Sequence, residues 1–166
     1  MLCIEVNCFT MLLKQFRALL LPLTAVIIIP WVLLYLFPPL MPKFDIFKFA
    51  GNIFLFSGSL LVVLTIKLFI RIGKGTLAPW DPTKKLVIVG PYKYTRNPMI
   101  SGVFFILVGE TLWFKSIALG VYTIAFFLFN DLYFRLSEEK GMEKRFGKEY
   151  LDYKKKTPRW IPRLRR

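Results

Sequence analysis

Histidine is absent from this 166-residue chain, and cysteine occurs twice, at Cys3 and Cys8. Those two shortages remove the tetrahedral Cys/His metal sites and the commonest general base in enzymes. Two cysteines five apart in an N-terminal tail read as a reduced pair, so no disulfide framework is expected. No internal repeat or low-complexity segment is present. A phosphate-cradling loop is also missing, because the Gly73-x-Gly75 pair follows no strand and leads into no Gly-Lys-Ser/Thr. It reads as a flexible exit from a helix. Acidic residues are scarce, ten against 24 Lys and Arg, for a formal charge of +14. Half of the 24 basic residues lie after residue 134. A basic end of this kind suits a cytoplasmic surface beside anionic lipid, with nucleic acid the weaker alternative and not an expected partner.

What the chain has in quantity is apolar residues, at 55% with a mean hydropathy of +0.51. They come in long blocks, which is the membrane pattern rather than that of a soluble domain. The length allows one domain. A tail of residues 1–17 ends with Lys14 and Arg17, and residues 18–37 form a first span of about twenty apolar residues, too long for a signal-peptide core. Pro22 and Pro30 lie inside it, and a kink is expected near Pro30. After the stiff turn at Pro38, Pro39 and Pro42, a second span covers residues 46–70, with Lys48 and Lys67 near its ends. A third span is expected over about residues 99–119 and a fourth from residue 117 or 118 through Phe129, continuing as helix past Asp131, Arg135 and Glu138-Glu139. Gly51 and Gly58 are seven apart, as are Gly102 and Gly109. Each pair shares a helix face, and small residues let helices approach closely in lipid, so the two stripes should face one another.

Beyond Gly141, Met142, Phe146, Tyr150 and Tyr153 recur at helical spacing among lysines. This predicts an amphipathic helix on the membrane or on the long loop, with Trp160 in the interfacial belt and the Arg-rich terminus at headgroup phosphates. The fold expected is therefore an all-α integral membrane protein with four transmembrane helices and a cytosolic C-terminal amphipathic helix. Its parts are a tail (1–17), two spans (18–70), a cytosolic loop (71–97), a helical hairpin that carries the chemistry (98–137), and the amphipathic helix with its basic tail (138–166). Charge sets the orientation. The tail, the 71–97 loop and the C-terminus are basic, whereas the other side has only Lys43, Lys48 and Lys115. Both termini and the loop are thus expected in the cytoplasm, as in a bacterial-type inner-membrane protein.

Residues 90–102, Gly90-Pro91-Tyr92-Lys93-Tyr94-Thr95-Arg96-Asn97-Pro98-Met99-Ile100-Ser101-Gly102, are the polar stretch between the second and third spans. Tyr92, Tyr94 and Arg96 alternate, so an extended backbone would give them one face. Pro98 suits the first turn of a helix. That would deliver Arg96 and Asn97 to a helix N-terminus, a place for an anion. Asp131, Arg135 and Glu138 are spaced to share a face of the fourth helix, and Glu139 is expected to pair with Arg135. A very short turn between the third and fourth spans makes them antiparallel, bringing Arg96 beside Glu138 and Glu139. A cation facing carboxylates suits a zwitterionic ligand. Glu110 lies toward the far side and is read as a partner for Lys115.

Residues 86–102 (LVIVGPYKYTRNPMISG), Glu138-Glu139-Lys140, Phe146-Gly147-Lys148-Glu149-Tyr150 with Tyr153, and Pro158-Arg159-Trp160-Ile161-Pro162 together resemble the isoprenylcysteine carboxyl methyltransferase / phospholipid methyltransferase superfamily, its small bacterial members above all. The resemblance covers about residues 73–162. It implies an integral membrane enzyme with S-adenosylmethionine as cofactor and a lipophilic acceptor from the bilayer. That acceptor would be a prenylcysteine-like carboxylate, a phospholipid amine or a small hydrophobic molecule. Carried onto this chain it implies cofactor binding by Val89, Gly90, Tyr92, Tyr94, Arg96, Asn97, Pro98, Gly102, Glu138 and Glu139, with Arg96, Asn97 and Glu139 catalytic and no metal. One position departs: the family's Arg-His-Pro is Arg96-Asn97-Pro98 here. Asn cannot accept a proton as a base, so a carboxylate acceptor needs none and an amine needs Glu or water. Two other readings compete, an NADPH-dependent membrane reductase of the steroid 5α-reductase type and a non-enzymatic lipid-binding membrane protein.

Overall fold

The computed structural model describes residues 20, 22–39, 46–68, 71–72 and 85–161. The expectations for Cys3, Cys8, Lys14, Arg17, Lys43, the Gly73/Gly75 pair and the Arg163–Arg166 tail fall outside them. Among the described residues the chain is helical, with no strand. A π-helical turn, Thr24–Ile28, leads into α1 (Ile29–Leu36). Then come α2 (Ile46–Leu68), a 3-10 turn (Gly90–Lys93), α3 (Pro98–Phe114), α4 (Ile117–Tyr133), a second π-helical turn (Phe134–Glu138) and α5 (Glu139–Lys156).

Two of these helices are long and apolar enough to cross a membrane: α2, and the continuous helix that begins with α4. The helix ending in α1 and helix α3 are apolar but shorter. In the long helix the apolar part is α4, and the polar residues begin at Asn130. Large apolar side chains point outward all along these helices, among them Trp31, Phe56, Ile117, Val121 and Phe129. Such a surface is far larger than water tolerates on a small domain and suits lipid.

The expected glycine pairing is present and close. A Cβ built on Gly58 would lie 2.7 Å from the Gly102 carbonyl oxygen, and one on Gly51 2.9 Å from that of Gly109. The α2 and α3 backbones therefore touch along both stripes, which only glycine permits. Thr65, fully buried, turns its hydroxyl back onto the Leu61 carbonyl at 2.8 Å, so it adds no unpaired polar group to this contact.

The third helix ends earlier than its apolar run suggests. Lys115 takes a left-handed conformation (φ 50°, ψ 39°) and stops α3 at Phe114. Ser116 then caps α4, accepting the Leu119 N–H at 3.3 Å. Ile117 to Leu119, where the expected third and fourth spans overlap, belong to the fourth, which starts at Ile117 as expected. The disturbance expected at Pro30 takes the form of the π turn directly before it. There Tyr122 of α4 donates to the Ala25 carbonyl at 2.9 Å and ties the first helix to the hairpin.

Candidate functional site

The site starts with a backbone that is not extended. Gly90 has φ +58°, which favours glycine, and Pro91 follows with φ preset for a turn. The result is a 3-10 turn closed by the bonds Tyr92 N to Val89 O (3.2 Å) and Tyr94 N to Pro91 O (3.1 Å). Tyr92, Tyr94 and Arg96 consequently do not share a face. Tyr92 is buried, Tyr94 is 47% exposed, and the Arg96 side chain is 10% exposed. Val89 precedes the turn and is exposed.

Asn97 sits at the N-cap of α3 but makes no side-chain capping bond. Its carbonyl accepts both the N–H and the hydroxyl of Ser101 at 3.1 Å. Pro98, buried, is the first helical residue, and Gly102 is buried against α2.

Arg96 meets the far end of the long helix as the hairpin requires. Its Nη1 lies 3.0 Å from Glu139 Oε1, and the two side chains are 10% and 7% exposed. Nη1 also approaches the Tyr150 hydroxyl at 3.4 Å. Glu139 does not pair with Arg135 as expected from helical spacing. Arg135 binds Asp131 at 2.7 Å instead. The π turn over Phe134–Glu138 explains the change, since it inserts about one residue per turn and rotates everything after it relative to Asp131. Glu139 is held by two further cations, Arg159 Nε at 2.7 Å and Lys154 Nζ at 3.0 Å. Burial alone would raise its carboxyl pKa. The hydrogen bonds from Arg159 and Lys154 and the charge of Arg96 outweigh burial and hold it below the ordinary glutamate value. Glu138 is the opposite case. It makes no ion pair among the described residues, and burial pushes its pKa up against the weaker pull of Arg145.

Several members of this cluster escape a reading from sequence. Arg159 also binds Asp131 Oδ1 at 3.1 Å. The Trp160 indole donates to that same oxygen at 2.7 Å and packs its ring on Phe127 and Phe134. Trp160 therefore anchors the C-terminal segment to α4 and the π turn. The amphipathic helix packs on the loop: Tyr150 and Tyr153 are buried, and the Tyr153 hydroxyl donates to the Tyr92 carbonyl at 2.6 Å. The one signal that could have placed Arg159 is its position between two prolines directly after that helix. Glu110, expected to pair with Lys115, does not. One of its carboxylate oxygens is buried with no partner, while the Lys115 ammonium lies 4.7 Å from the Phe47 ring centre.

The charge inventory tests the fit to an anionic group. Four cations, Arg96, Arg135, Lys154 and Arg159, share three carboxylates, Asp131, Glu139 and Glu143. Within that excess the buried Arg96 Nε has no hydrogen-bond partner. A buried donor without an acceptor is costly, and a ligand carboxylate would satisfy it. A cavity of about 630 Å³ opens beside this cluster, lined by Ile88, Lys93, Tyr94, Asp152, Tyr153 and their neighbours. It shares Tyr153 with the packing behind Arg96 but does not reach Arg96 or Glu139. A second cavity, about 510 Å³ and almost wholly apolar, lies at the opposite end around Lys115 and Ile117. Among the described residues no group of His, Cys, Asp and Glu is placed to hold a metal ion.

A protein-family model described as phospholipid methyltransferase matches residues 46–149. No curated protein and no solved structure matches the chain. The matched segment takes in α2, the 3-10 turn, the hairpin and the π turn, so both halves of the Arg96–Glu139 pair lie inside it.

Proposed function

The chain belongs to the phospholipid methyltransferase family, and from that premise we propose that it is an integral membrane enzyme that transfers the methyl group of S-adenosylmethionine to a lipophilic acceptor. The observation that carries the reading is the buried Arg96, paired through Nη1 with Glu139 and left with a free Nε–H. The family name favours an amine of a phospholipid headgroup as acceptor. A prenylcysteine-like carboxylate and a small hydrophobic molecule are the outcomes against which the assay below discriminates.

When bound, the cofactor supplies an electrophilic methyl group on a sulfonium. Arg96 Nε would take its carboxylate, and Glu139 would hold Arg96 in place. Surrounded by three cations, Glu139 has no capacity left for an ammonium group. Glu138 has, since it makes no ion pair and its pKa is raised. It is the carboxylate left to accept a proton from an amine acceptor. Asn97 cannot do so, and its side chain stands at the head of α3 as a hydrogen-bonding group only. Val89, Gly90, Tyr92, Tyr94, Pro98 and Gly102 shape the loop and the helix start that present Arg96.

In the membrane, the helix that ends in α1 together with α2, α3 and α4 would be the four spans, with the Arg96–Glu139 cluster at the cytoplasmic surface. Helix α3 rises about 25 Å over its 17 residues. That nearly matches the hydrocarbon core and puts the 3-10 turn at headgroup level.

Labelled S-adenosylmethionine is bound by the purified protein in detergent on this reading, and Arg96→Ala and Glu139→Gln each abolish binding. Incubation with labelled cofactor and a total membrane lipid extract then shows which species gains the label. Binding retained in both variants would refute the placement of the site, and NADPH binding in its place would refute the reaction.

A further inference from the structure

Residues 157–161 return from the end of α5 across the Arg96 loop, and they hold its two sides in different ways. The strap's backbone holds the loop: the Arg96 N–H donates to the Pro158 carbonyl at 3.0 Å, and the Thr95 hydroxyl to the Arg159 carbonyl at 2.6 Å. Its side chains hold the helix end, Arg159 through Glu139 and Asp131, and Trp160 through Asp131.

The consequence lies in how Glu139 is shared. A guanidinium and a carboxylate left to themselves close a fork of two parallel hydrogen bonds. Arg96 and Glu139 do not. Arg96 gives Glu139 only Nη1, at 3.0 Å, while Arg159 Nε holds the same oxygen at 2.7 Å and Lys154 holds the other at 3.0 Å. Both carboxylate oxygens are therefore occupied by cations other than Arg96, and Arg96 Nε stays unpaired although buried.

We infer that Arg159 is a positioning residue for the cofactor site: by occupying Glu139 together with Lys154 it prevents Arg96 from closing a two-bond pair with that carboxylate, and so keeps the Arg96 Nε donor available to an anionic ligand. The identity of that ligand, the cofactor carboxylate, rests on the function proposed above; the competition between the two arginines does not. The charged and titratable groups around Glu139 are Arg96 from the loop, Lys154 with Glu143 and Tyr150 from α5, and Arg159 from the strap, through which Asp131 of α4 is linked. Losing the Arg159 bond leaves burial less opposed, so the Glu139 carboxyl holds its proton to higher pH.

The test uses the full-length protein in lipid nanodiscs, with Arg159→Gln, Arg159→Lys and Arg135→Gln. Arg135→Gln removes the same charge from the same cluster without touching Glu139. Two quantities are read between about pH 5 and 8: the dissociation constant for S-adenosylmethionine, and the infrared band of the protonated Glu139 carboxyl, assigned by difference against Glu139→Gln. Arg159→Gln weakens cofactor binding about tenfold or more at the upper end of that range, the loss narrows as pH falls because a protonated Glu139 no longer competes for Arg96, and the protonated band appears at higher pH than in the unmodified protein. Arg159→Lys recovers part of the affinity, because a single ammonium reaches one carboxylate at a time. Arg135→Gln keeps the affinity and the pH profile. Unchanged binding in Arg159→Gln, or an equal loss in Arg159→Gln and Arg135→Gln, overturns the proposal. Absence of cofactor binding by the unmodified protein would defeat the proposed function instead. The infrared band would then still decide the positioning role, and an unshifted Glu139 in Arg159→Gln would overturn it.

Discussion

An alanine at Gly58 tests the helix pair on which the site stands. Its Cβ would lie 2.7 Å from the Gly102 carbonyl oxygen and 2.9 Å from both the backbone nitrogen and Cγ1 of Ile106. Ordinary contact begins at 3.4 Å, so α2 and α3 must part by about 0.7 Å at this level. Two of the three atoms are backbone and have no rotamer to change. Overpacking of this kind costs about 1–3 kcal/mol. Helix propensity returns at most about 1 kcal/mol in water, and less in a bilayer, where separated helices remain helical. The expected result is a net loss of about 1–2 kcal/mol, measured by reversible unfolding in mixed micelles. Gly120→Ala is the control, since its Cβ would meet only Thr111 Cγ2 at 3.4 Å. Gly102→Ala would meet the Gly58 carbonyl at 3.0 Å through the same gap, so the double variant loses less than the sum of the two. Gly102 is about one turn from Pro98, so parting the helices there also shifts Arg96 relative to Glu139, and cofactor affinity falls with stability. If Gly58→Ala proves as stable as Gly120→Ala, or if the two glycine substitutions simply add, the close-contact argument is wrong.

Three further outcomes are expected. Gly147 has φ +52° and ψ −126° with nothing within 4 Å of its Cβ position, so Gly147→Ala meets backbone strain rather than a clash; it should cost about 1–3 kcal/mol and loosen Tyr150 and Tyr153 from the loop, whereas Gly141→Ala, in regular helix, should not lower the melting temperature. Glu138 has a pKa raised above its ordinary value, so the folded state binds its proton more tightly than the unfolded one; its own contribution to stability is then fully present below the unfolded pKa and is lost as pH climbs through the folded pKa. Glu138→Gln should flatten that part of the melting profile, and an unchanged slope would show that burial does not govern this carboxyl. Glu110 has a buried carboxylate oxygen without a partner, so Glu110→Met, of similar shape, should raise unfolding stability by about 1–2 kcal/mol; a loss would mean that the carboxylate has a partner in the working protein.

Much of this arrangement is written in local pattern. Runs of apolar residues mark the helices, because a bilayer demands unbroken stretches. The seven-residue spacing of four glycines states which faces meet. The shortness of the link at Lys115 and Ser116 forces an antiparallel hairpin, and that brings the start of α3, with Arg96, beside the level of Glu138 and Glu139. The misreadings have equally definite causes. Alternation of Tyr92, Tyr94 and Arg96 suggested one face only on an extended backbone, and Gly90-Pro91 makes a 3-10 turn instead. Hydropathy could not end α3 at Phe114, because Ile117 to Leu119 are as apolar as the residues before Lys115. Arg159 is one cation among the twelve after residue 134, and nothing local says which of them turns inward.

The register of the acidic pair shows why pattern fails where the site begins. Two adjacent glutamates on a helix point about 100° apart, so only one can face Arg96. Regular spacing from Asp131 and Arg135 selects the wrong ladder partners, because the π turn over Phe134–Glu138 advances the phase by about one residue. The slip is what lets Glu139 face the loop while Arg135 stays with Asp131. Eight residues later Gly147 breaks the helix again and turns Tyr150, Tyr153 and Lys154 back to the same place. Both irregularities flank the carboxylate that three cations share. In a continuous α-helix of the same sequence Glu139 would be rotated away from Arg96, and the buried arginine would lose its counter-charge. The helix defects are thus the structural cause of the site, and a variant that restores regular α-helix between Tyr133 and Glu139 by deleting one residue should lose the Arg96–Glu139 pair while keeping all of its side chains.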